Sequence, residues 1–262
     1  MTQPPALLDV AGLSIRFGGL AALSDVDFAV RSGEIFALIG PNGAGKTTVF
    51  NVVTGLYRPL AGRVRFDGHD VLTRAPHAVA RLGIARTFQN TEVFRGLSAL
   101  DNVRIGAHLR LRGSVLAAAL GLRSVRREES RARERAHVLL TRVGLGDVAG
   151  HDAAGLPLGL QKRLELARAL ALEPRLLLLD EPAGGLNPTE TQELMRLIRS
   201  LRDDDRLTIL LVEHNMELVM GVSDRVAVLQ HGRKLAEGTP GEMSRDPAVV
   251  EAYLGPNESP NE

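Results

Sequence analysis

Apolar and polar residues alternate over residues 13–17 and 26–30, in the manner of half-buried β-strands. A short apolar run over residues 34–39 predicts a buried strand, which leads into a glycine-rich loop and then a helix from about Thr47. Together these patterns predict five strands, over residues 13–17, 26–30, 34–39, 62–66 and 71–72.

Between residue 93 and about residue 149 the sequence is typical of helices, because leucine, alanine and arginine predominate. The arginine- and glutamate-rich residues 123–135 predict a solvated helix face, or alternatively a face that docks to a membrane protein or to anionic lipid. Further helices are predicted over residues 159–171 and 188–202, and strands over 176–180, 207–212 and 225–229. Strands and helices that alternate at this spacing predict an α/β fold with a mostly parallel, helix-covered sheet.

Composition narrows the function classes. The 262 residues include 32 lysines and arginines against 31 aspartates and glutamates, a balance that argues against a protein that coats nucleic acid. With no cysteine, disulfides and thiol catalysis are excluded. The longest weakly apolar stretch, residues 114–122, is far short of the ~20 residues that cross a bilayer. We therefore expect a soluble chain whose membrane role, if any, comes through partners.

The glycine-rich loop fits the G-x-x-x-x-G-K-[ST] phosphate-binding pattern, with a strand before it and a helix after it. Its backbone N–H groups and the helix N-terminus favour phosphate. The lysine supplies a charge to the γ-phosphate, and the threonine hydroxyl is a candidate Mg²⁺ ligand. The candidate nucleotide contacts here are Gly40, Pro41, Asn42, Gly43, Ala44, Gly45, Lys46, Thr47 and Thr48.

Two adjacent carboxylates end the leucine-rich strand at residues 176–180. Because neighbouring side chains of a strand point in opposite directions, Asp180 and Glu181 are expected to have different roles. We assign Asp180 to Mg²⁺ and Glu181 to the general base that polarises the attacking water. His214 follows the next strand; a lone histidine is more often structural, but in this setting its imidazole is a candidate contact to the γ-phosphate.

Two further candidates lie nearer the N-terminus. Gln89 sits where the strand-rich part gives way to the helical part, and its amide is a candidate ligand of Mg²⁺ or of the attacking water. Phe17 is one of nine aromatic residues, and its turn-forming neighbourhood suits stacking on adenine, with core packing as the alternative.

In their order along the chain, these residues resemble the ABC ATPase family. The Walker A motif is residues 40–47, the Q-loop is Gln89, Walker B is residues 176–180 with Glu181, the D-loop is residues 184–187 and the switch histidine is His214. The resemblance implies binding and hydrolysis of ATP with Mg²⁺ by a P-loop NTPase (RecA-like) fold. It implies a core with an N-terminal antiparallel β region over residues 1–90 and 160–255, an inserted α-helical subdomain over 91–159, and a flexible tail over 256–262.

Residues 16–20, 85–90, 183–188 and 252–255 are similar to one branch of that family, the ATP-binding subunits of branched-chain amino acid importers. Relatives in this branch are also linked to urea and short amides. The resemblance implies a head-to-tail dimer with a second ATPase subunit, two transmembrane permeases and, indirectly, a solute-binding protein. It places the chain peripherally at the cytoplasmic face of the inner (plasma) membrane.

The signature loop departs from the family pattern. Where the family has Leu-Ser-Gly-Gly-Gln, residues 156–160 read Leu-Pro-Leu-Gly-Leu. In the family this loop hydrogen-bonds the γ-phosphate held by the other subunit, which makes Gly159 the candidate contact here. Pro157 has neither a hydroxyl nor an N–H group, and Leu160 replaces a polar side chain. We therefore predict an asymmetric dimer, in which the site completed by this signature is the weaker one.

Two other functions stay open at this point. One is an exporter ATPase, such as the lipopolysaccharide-extracting type, although Thr87-Phe88-Gln89 favours the importer branch. The other is a soluble ABC protein that acts on DNA or the ribosome. Such proteins usually carry tandem ATPase domains or a long coiled coil, so no nucleic-acid partner is expected.

Overall fold

Two β-sheets form the body of the structure, a computed structural model that describes residues 6–87, 93–107 and 123–254. The strands, in chain order, are β1 (Ala6–Phe17), β2 (Leu20–Arg31), β3 (Ile35–Ile39), β4 (Ala61–Phe66), β5 (His69–Asp70), β6 (Ile84–Arg86), β7 (Leu176–Asp180), β8 (Thr208–Val212), β9 (Arg225–Gln230) and β10 (Arg233–Gly238). The α-helices described are α1 (Lys46–Val53), α2 (Pro76–Leu82), α3 (Ala99–Gly106), α4 (Arg123–Arg142), α5 (Leu158–Leu170), α6 (Pro188–Asp203), α7 (Met216–Val222), α8 (Pro240–Met243) and α9 (Pro247–Leu254).

The first sheet is antiparallel, in the order β2-β1-β4-β5. A two-residue turn joins β1 to β2, because Phe17 pairs with Leu20 and Gly18 takes a φ of 57° that glycine adopts without strain. The strand predicted over residues 71–72 is wrong, since β5 ends at Asp70. The Asp70 Oδ1 atom accepts the Leu72 N–H at 2.8 Å, and this local turn takes the chain out of the ladder.

The second sheet has the order β10-β9-β3-β8-β7-β6, and every neighbouring pair except β9 and β10 is parallel. The predicted mostly parallel sheet is therefore confirmed. All residues of β3, β7 and β8 are buried, because both faces of these strands are covered. Burying each leucine of such a strand contributes about 1.5–3 kcal/mol.

Alternation along the strands divides the core into two layers. Leu177 and Leu179 of β7 pack in the cluster that contains the helices of the C-terminal half. Leu176 and Leu178 pack in the cluster that contains α1 and the antiparallel sheet. The parallel sheet thus lies between two apolar layers, and its strand ends are left to carry polar groups.

Helices α3, α4 and α5 form a helical lobe beside the parallel sheet. Val103, Leu140 and Leu164, one from each helix, are buried in one cluster. On α4, Arg131, Arg133 and Arg135 are exposed, in agreement with the predicted solvated face. Among the residues that the structure describes, no helix is both long enough and apolar enough to span a bilayer.

Candidate nucleotide-binding and catalytic site

The glycine-rich loop joins the end of β3, in the middle of the parallel sheet, to the first turn of α1. Two of its glycines are required by close approach as well as by backbone angle. At Gly40, with a φ of 150°, a Cβ atom would lie 2.1 Å from the Leu229 carbonyl oxygen. At Gly45, with a φ of 103°, it would lie 2.5 Å from the Leu23 Cδ2 atom. The loop is therefore packed against β9 and β2 in a shape that side chains would break.

The Lys46 side chain is buried inside this loop. Its Nζ atom donates to the carbonyl oxygens of Gly40 at 2.7 Å and Pro41 at 3.1 Å. Burial lowers the pKa of the Lys46 ammonium, and the nearby carboxylates of Glu181 and Asp180 oppose that shift. The loop thus holds a desolvated cation at the N-terminus of a helix, which is a suitable place for an anionic phosphate.

Asp180 ends β7 with its carboxylate almost fully buried, and it faces Arg86 at the end of β6. The Arg86 Nη2 atom donates to Asp180 Oδ2 at 2.7 Å, while Nη1 donates to Asn51 Oδ1 at 2.7 Å. Burial raises the pKa of Asp180, and the Arg86 guanidinium opposes that shift. Within the described part of the chain, Asp180 Oδ1 is buried without a hydrogen-bond partner.

That orphaned oxygen fits a magnesium site. A buried carboxylate oxygen with no donor is the kind of hard ligand that Mg²⁺ takes, often through water. The hydroxyl of Thr47, on the first turn of α1, is a second oxygen of the right chemistry, and Thr47 is exposed. The residues present therefore agree with the metal that the sequence predicts.

Glu181 follows β7 in a left-handed backbone conformation with a φ of 47°, so it leaves the strand's alternation. Its N–H donates to the Val212 carbonyl oxygen at 2.8 Å, which ties it to the end of β8. Its Oε2 atom lies 3.8 Å from Nδ1 of His214, whose side chain is 59% exposed. The two residues assigned to the water and the γ-phosphate are thus neighbours at the same edge of the sheet.

Three residues near this edge escaped the sequence analysis. Glu213 is fully buried, and its carboxylate accepts the backbone N–H groups of Ala183, His214 and Asn215. Lys162 of α5 is buried and donates to the Glu181 carbonyl oxygen at 3.3 Å. Arg86 contacts Asp180. Glu213 could have been found from the sequence, because it is an acidic residue at the end of an apolar strand. No sequence pattern marks Lys162 or Arg86.

Phe17 lies on the surface with 46% of its area exposed, so packing in the core, the alternative interpretation, is wrong. Its ring meets that of Tyr57 edge to face, with centroids 5.2 Å apart and an angle of 68° between the planes. Tyr57 follows α1, the helix that begins in the phosphate-binding loop. The aromatic pair therefore offers a ring face beside the same structural unit that carries Lys46.

Two candidate residues remain, Gln89 and Gly159. Gln89 lies outside the described residues. Gly159 is in the first turn of α5, where a Cβ atom would come 2.6 Å from the Glu190 Oε1 atom of α6. Pro157 is the N-cap of α5 and offers no side-chain hydrogen bond to the helix start. The signature loop thus begins a helix without the usual polar cap.

A parallel sheet whose central strand leads into a glycine loop, a buried lysine and a helix N-terminus defines a P-loop nucleotide-binding protein. Residues 23–184 match the family model of the ABC transporter, and residues 233–255 match that of the branched-chain amino acid ATP-binding cassette transporter. The chain belongs to the ABC transporter family, as an ATP-binding subunit that hydrolyses ATP.

Individual relatives are similar to this chain along almost its whole length. The chain is 46% identical to the high-affinity branched-chain amino acid transport ATP-binding protein LivG of Escherichia coli (strain K12), over 97% of this chain and 99% of LivG. It is 44% identical to the corresponding protein BraF of Pseudomonas aeruginosa, with the same two coverages.

Solved structures confirm the fold. An ATP-binding cassette of an ABC transporter in its ADP conformation superposes with a TM-score of 0.82 and 30% identity, covering 96% of this chain and all of that one. A dimeric cassette in a post-hydrolysis state, bound to ADP and Pi, gives a TM-score of 0.75 and 25% identity, covering 89% and 98%. Dimerisation is therefore a property of solved relatives of this chain.

Proposed function

We propose that this chain hydrolyses ATP to drive uptake of branched-chain amino acids, or of related small amino acids and amides. The observation that carries the proposal is the likeness to LivG and BraF along the whole chain, together with the match of residues 233–255 to the branched-chain model. An ATPase subunit does not touch the solute, so the substrate rests on this likeness alone.

The proposed chemistry gives each candidate group one role. Lys46 and the backbone of residues 40–48 hold the phosphates, and Phe17 stacks on adenine. Thr47 and Asp180, with Gln89, would hold Mg²⁺, which neutralises charge on the phosphates when bound. The Glu181 carboxylate accepts a proton from the attacking water, and the exposed imidazole of His214, 3.8 Å away, orients that water and contacts the γ-phosphate.

The proposed assembly is a head-to-tail dimer with a second ATPase subunit, bound to two transmembrane permeases at the cytoplasmic face of the inner (plasma) membrane. A solute-binding protein acts through the permeases, and no nucleic acid is involved. The proposed domains are a RecA-like core over residues 1–90 and 160–255 and a helical subdomain with the signature loop over residues 91–159, while the tail predicted over residues 256–262 lies outside the described residues. The Pro157 and Leu160 substitutions make one of the two composite sites weaker.

Uptake in cells tests the substrate. We expect deletion of the gene to abolish high-affinity uptake of labelled leucine, isoleucine and valine, and uptake to return with the wild-type chain but not with Glu181→Gln. Uptake of a solute from another chemical class, such as a sugar, serves as the control. Normal uptake of all three amino acids by the deletion strain would refute the proposed substrate class.

Purification tests the assembly. A tagged chain drawn from its native membranes in mild detergent is expected to bring two polytopic permeases and a second, distinct ATPase, identified by mass spectrometry. Recovery with ribosomal or DNA-bound partners and no membrane protein would contradict the transport assembly while leaving the ATPase activity in place.

A further inference from the structure

Two buried charged side chains, from different parts of the fold, form hydrogen bonds with the turn that carries Glu181. The Lys162 Nζ atom, on α5, donates to the Glu181 carbonyl oxygen at 3.3 Å. The Glu213 Oε1 atom, at the end of β8, accepts the N–H of Ala183 at 2.8 Å. The two peptide groups that they bind are separated by Pro182, so the turn is fixed at both ends.

The second oxygen of Glu213 fixes the neighbouring segment. Its Oε2 atom accepts the N–H of His214 at 2.7 Å and of Asn215 at 2.9 Å. Asn215 in turn caps α7, since its Oδ1 atom accepts the Leu218 N–H at 3.1 Å. One carboxylate therefore joins the turn after Glu181 to the segment that presents His214.

These hydrogen bonds act on Glu181, whose backbone conformation is unfavourable without support from its surroundings. Glu181 has a φ of 47°, a conformation that a residue with a side chain adopts only where its surroundings impose it. A buried carboxylate such as Glu213 is retained where hydrogen bonds satisfy it, and three backbone N–H groups do so here. Lys162 lies among the carboxylates of Glu165, Glu213 and Glu181, while burial lowers its pKa.

We propose that Glu213 and Lys162 are positioning residues for ATP hydrolysis, which together hold the Glu181 carboxylate in place beside the His214 imidazole. Lys162 lies one helical turn beyond Gly159, so it also links the start of the signature helix to the catalytic turn of the same subunit. The proposal rests on the proposed roles of Glu181 and His214. A misplacement of about 1 Å at such a pair can cost about 100-fold in rate.

Glutamine substitutions test it, with a matched control elsewhere in the sheet. Glu213→Gln keeps the shape but replaces one acceptor oxygen with a donor group, so at least one backbone N–H loses its partner. Lys162→Gln removes the ammonium and leaves the three bonds of Glu213 intact. The control is Glu34→Gln: Glu34 is also buried and accepts a backbone N–H, from Arg31, but it precedes β3 at the opposite end of the sheet.

The variants are compared in the complete transporter, purified through a tag on this chain. Activity that survives Lys46→Ala, which removes the phosphate-binding ammonium of this subunit, belongs to other subunits and is subtracted. We expect Glu213→Gln to lower kcat by about tenfold or more and Lys162→Gln by about threefold or more, with KM for ATP and the affinity for a fluorescent ADP analogue within about twofold of wild type. Glu34→Gln is expected to leave kcat unchanged.

Three outcomes would overturn the proposal, and they can be told apart. If Glu181→Gln abolishes hydrolysis but both positioning variants turn over at the wild-type rate, the base stands and the positioning role is wrong. If nucleotide affinity and thermal stability fall in step with kcat, the two side chains serve only the fold. If Glu213→Gln does not fold, Lys162→Gln decides by the same criteria. A fully active Glu181→Gln refutes the base and, with it, the need to position it.

Discussion

Replacing Arg86 with glutamine leaves the buried carboxylate of Asp180 without the guanidinium that contacts it. The side chains are 9% and 2% exposed, and their closest atoms are 2.7 Å apart. Breaking a buried pair by removing one partner costs about 3–5 kcal/mol, because the remaining charge stays desolvated. We therefore expect Arg86→Gln to lower the free energy of unfolding by about that amount at pH 8.

The same argument predicts that this loss in the free energy of unfolding depends on pH. Burial already raises the pKa of folded Asp180 above the ordinary value of an aspartate, with Arg86 opposing the shift. Removing Arg86 raises this folded pKa further. An acid whose pKa is higher when folded loses stability as pH rises from the unfolded pKa through the folded one. The deficit of the variant should therefore be largest above the raised pKa and shrink as pH falls towards 4.

Urea unfolding at pH 8, 6 and 5 measures the stability deficit of Arg86→Gln, with Arg63→Gln as the control. Arg63 pairs with Asp9 at 3.5 Å on the surface, with 62% and 38% of the two side chains exposed. Solvent screens such a pair, so its loss should cost less than about 1 kcal/mol at every pH. A deficit for Arg86→Gln below about 1 kcal/mol at pH 8, or one that does not change with pH, would refute the electrostatic account.

Three further predictions concern other parts of the site. Phe17→Ala should weaken ATP binding about tenfold through lost stacking, whereas Phe17→Tyr keeps it; equal affinities measured with a fluorescent ATP analogue would contradict adenine stacking. Pro157→Ser with Leu160→Gln should add about 1 kcal/mol of stability through a new N-cap and should raise the steady-state ATPase rate; an unchanged rate counts against the asymmetric dimer. Gly45→Ala should abolish nucleotide binding, because its Cβ atom would lie 2.8 Å from the backbone carbonyl oxygen of Ala22 as well as 2.5 Å from Leu23. Gly33→Ala also has a left-handed backbone but has open space at the Cβ position, so it should cost only about 1 kcal/mol and leave binding intact, as isothermal titration would show.

The parts of the site that sequence predicted are those made by consecutive residues. The loop, its lysine and its helix start lie within one short segment, and the two carboxylates follow one apolar strand, so spacing alone brought them together. Arg86 and Asp180 are 94 positions apart, and Lys162 and Glu181 are 19 apart. Nothing in the spacing of such residues indicates that they are in contact; the strand order brings Arg86 to Asp180, and the packing of α5 brings Lys162 to Glu181.

The elements that sequence missed are short or polar. β6 has three residues, which is too few to show a period, and it is recognisable only by its pairing with β7. β10 is an edge strand without a fully buried residue, so it has no apolar run to detect. The Q-loop assignment of Gln89 and the asymmetry of the dimer remain predictions.

The buried charges at the sheet edge suggest how nucleotide binds without large rearrangement. The ammonium of Lys46 is already held inside the loop by two neutral carbonyl oxygens, those of Gly40 and Pro41. An ionised phosphate oxygen adds the attraction between opposite charges to the hydrogen bond, which a neutral carbonyl oxygen does not offer the ammonium. A phosphate that enters the loop therefore offers Lys46 a stronger partner at the same place, and the anion offsets the desolvation that lowers the lysine's pKa. Because the cation is desolvated and positioned before the nucleotide arrives, little of the binding free energy is lost in ordering it.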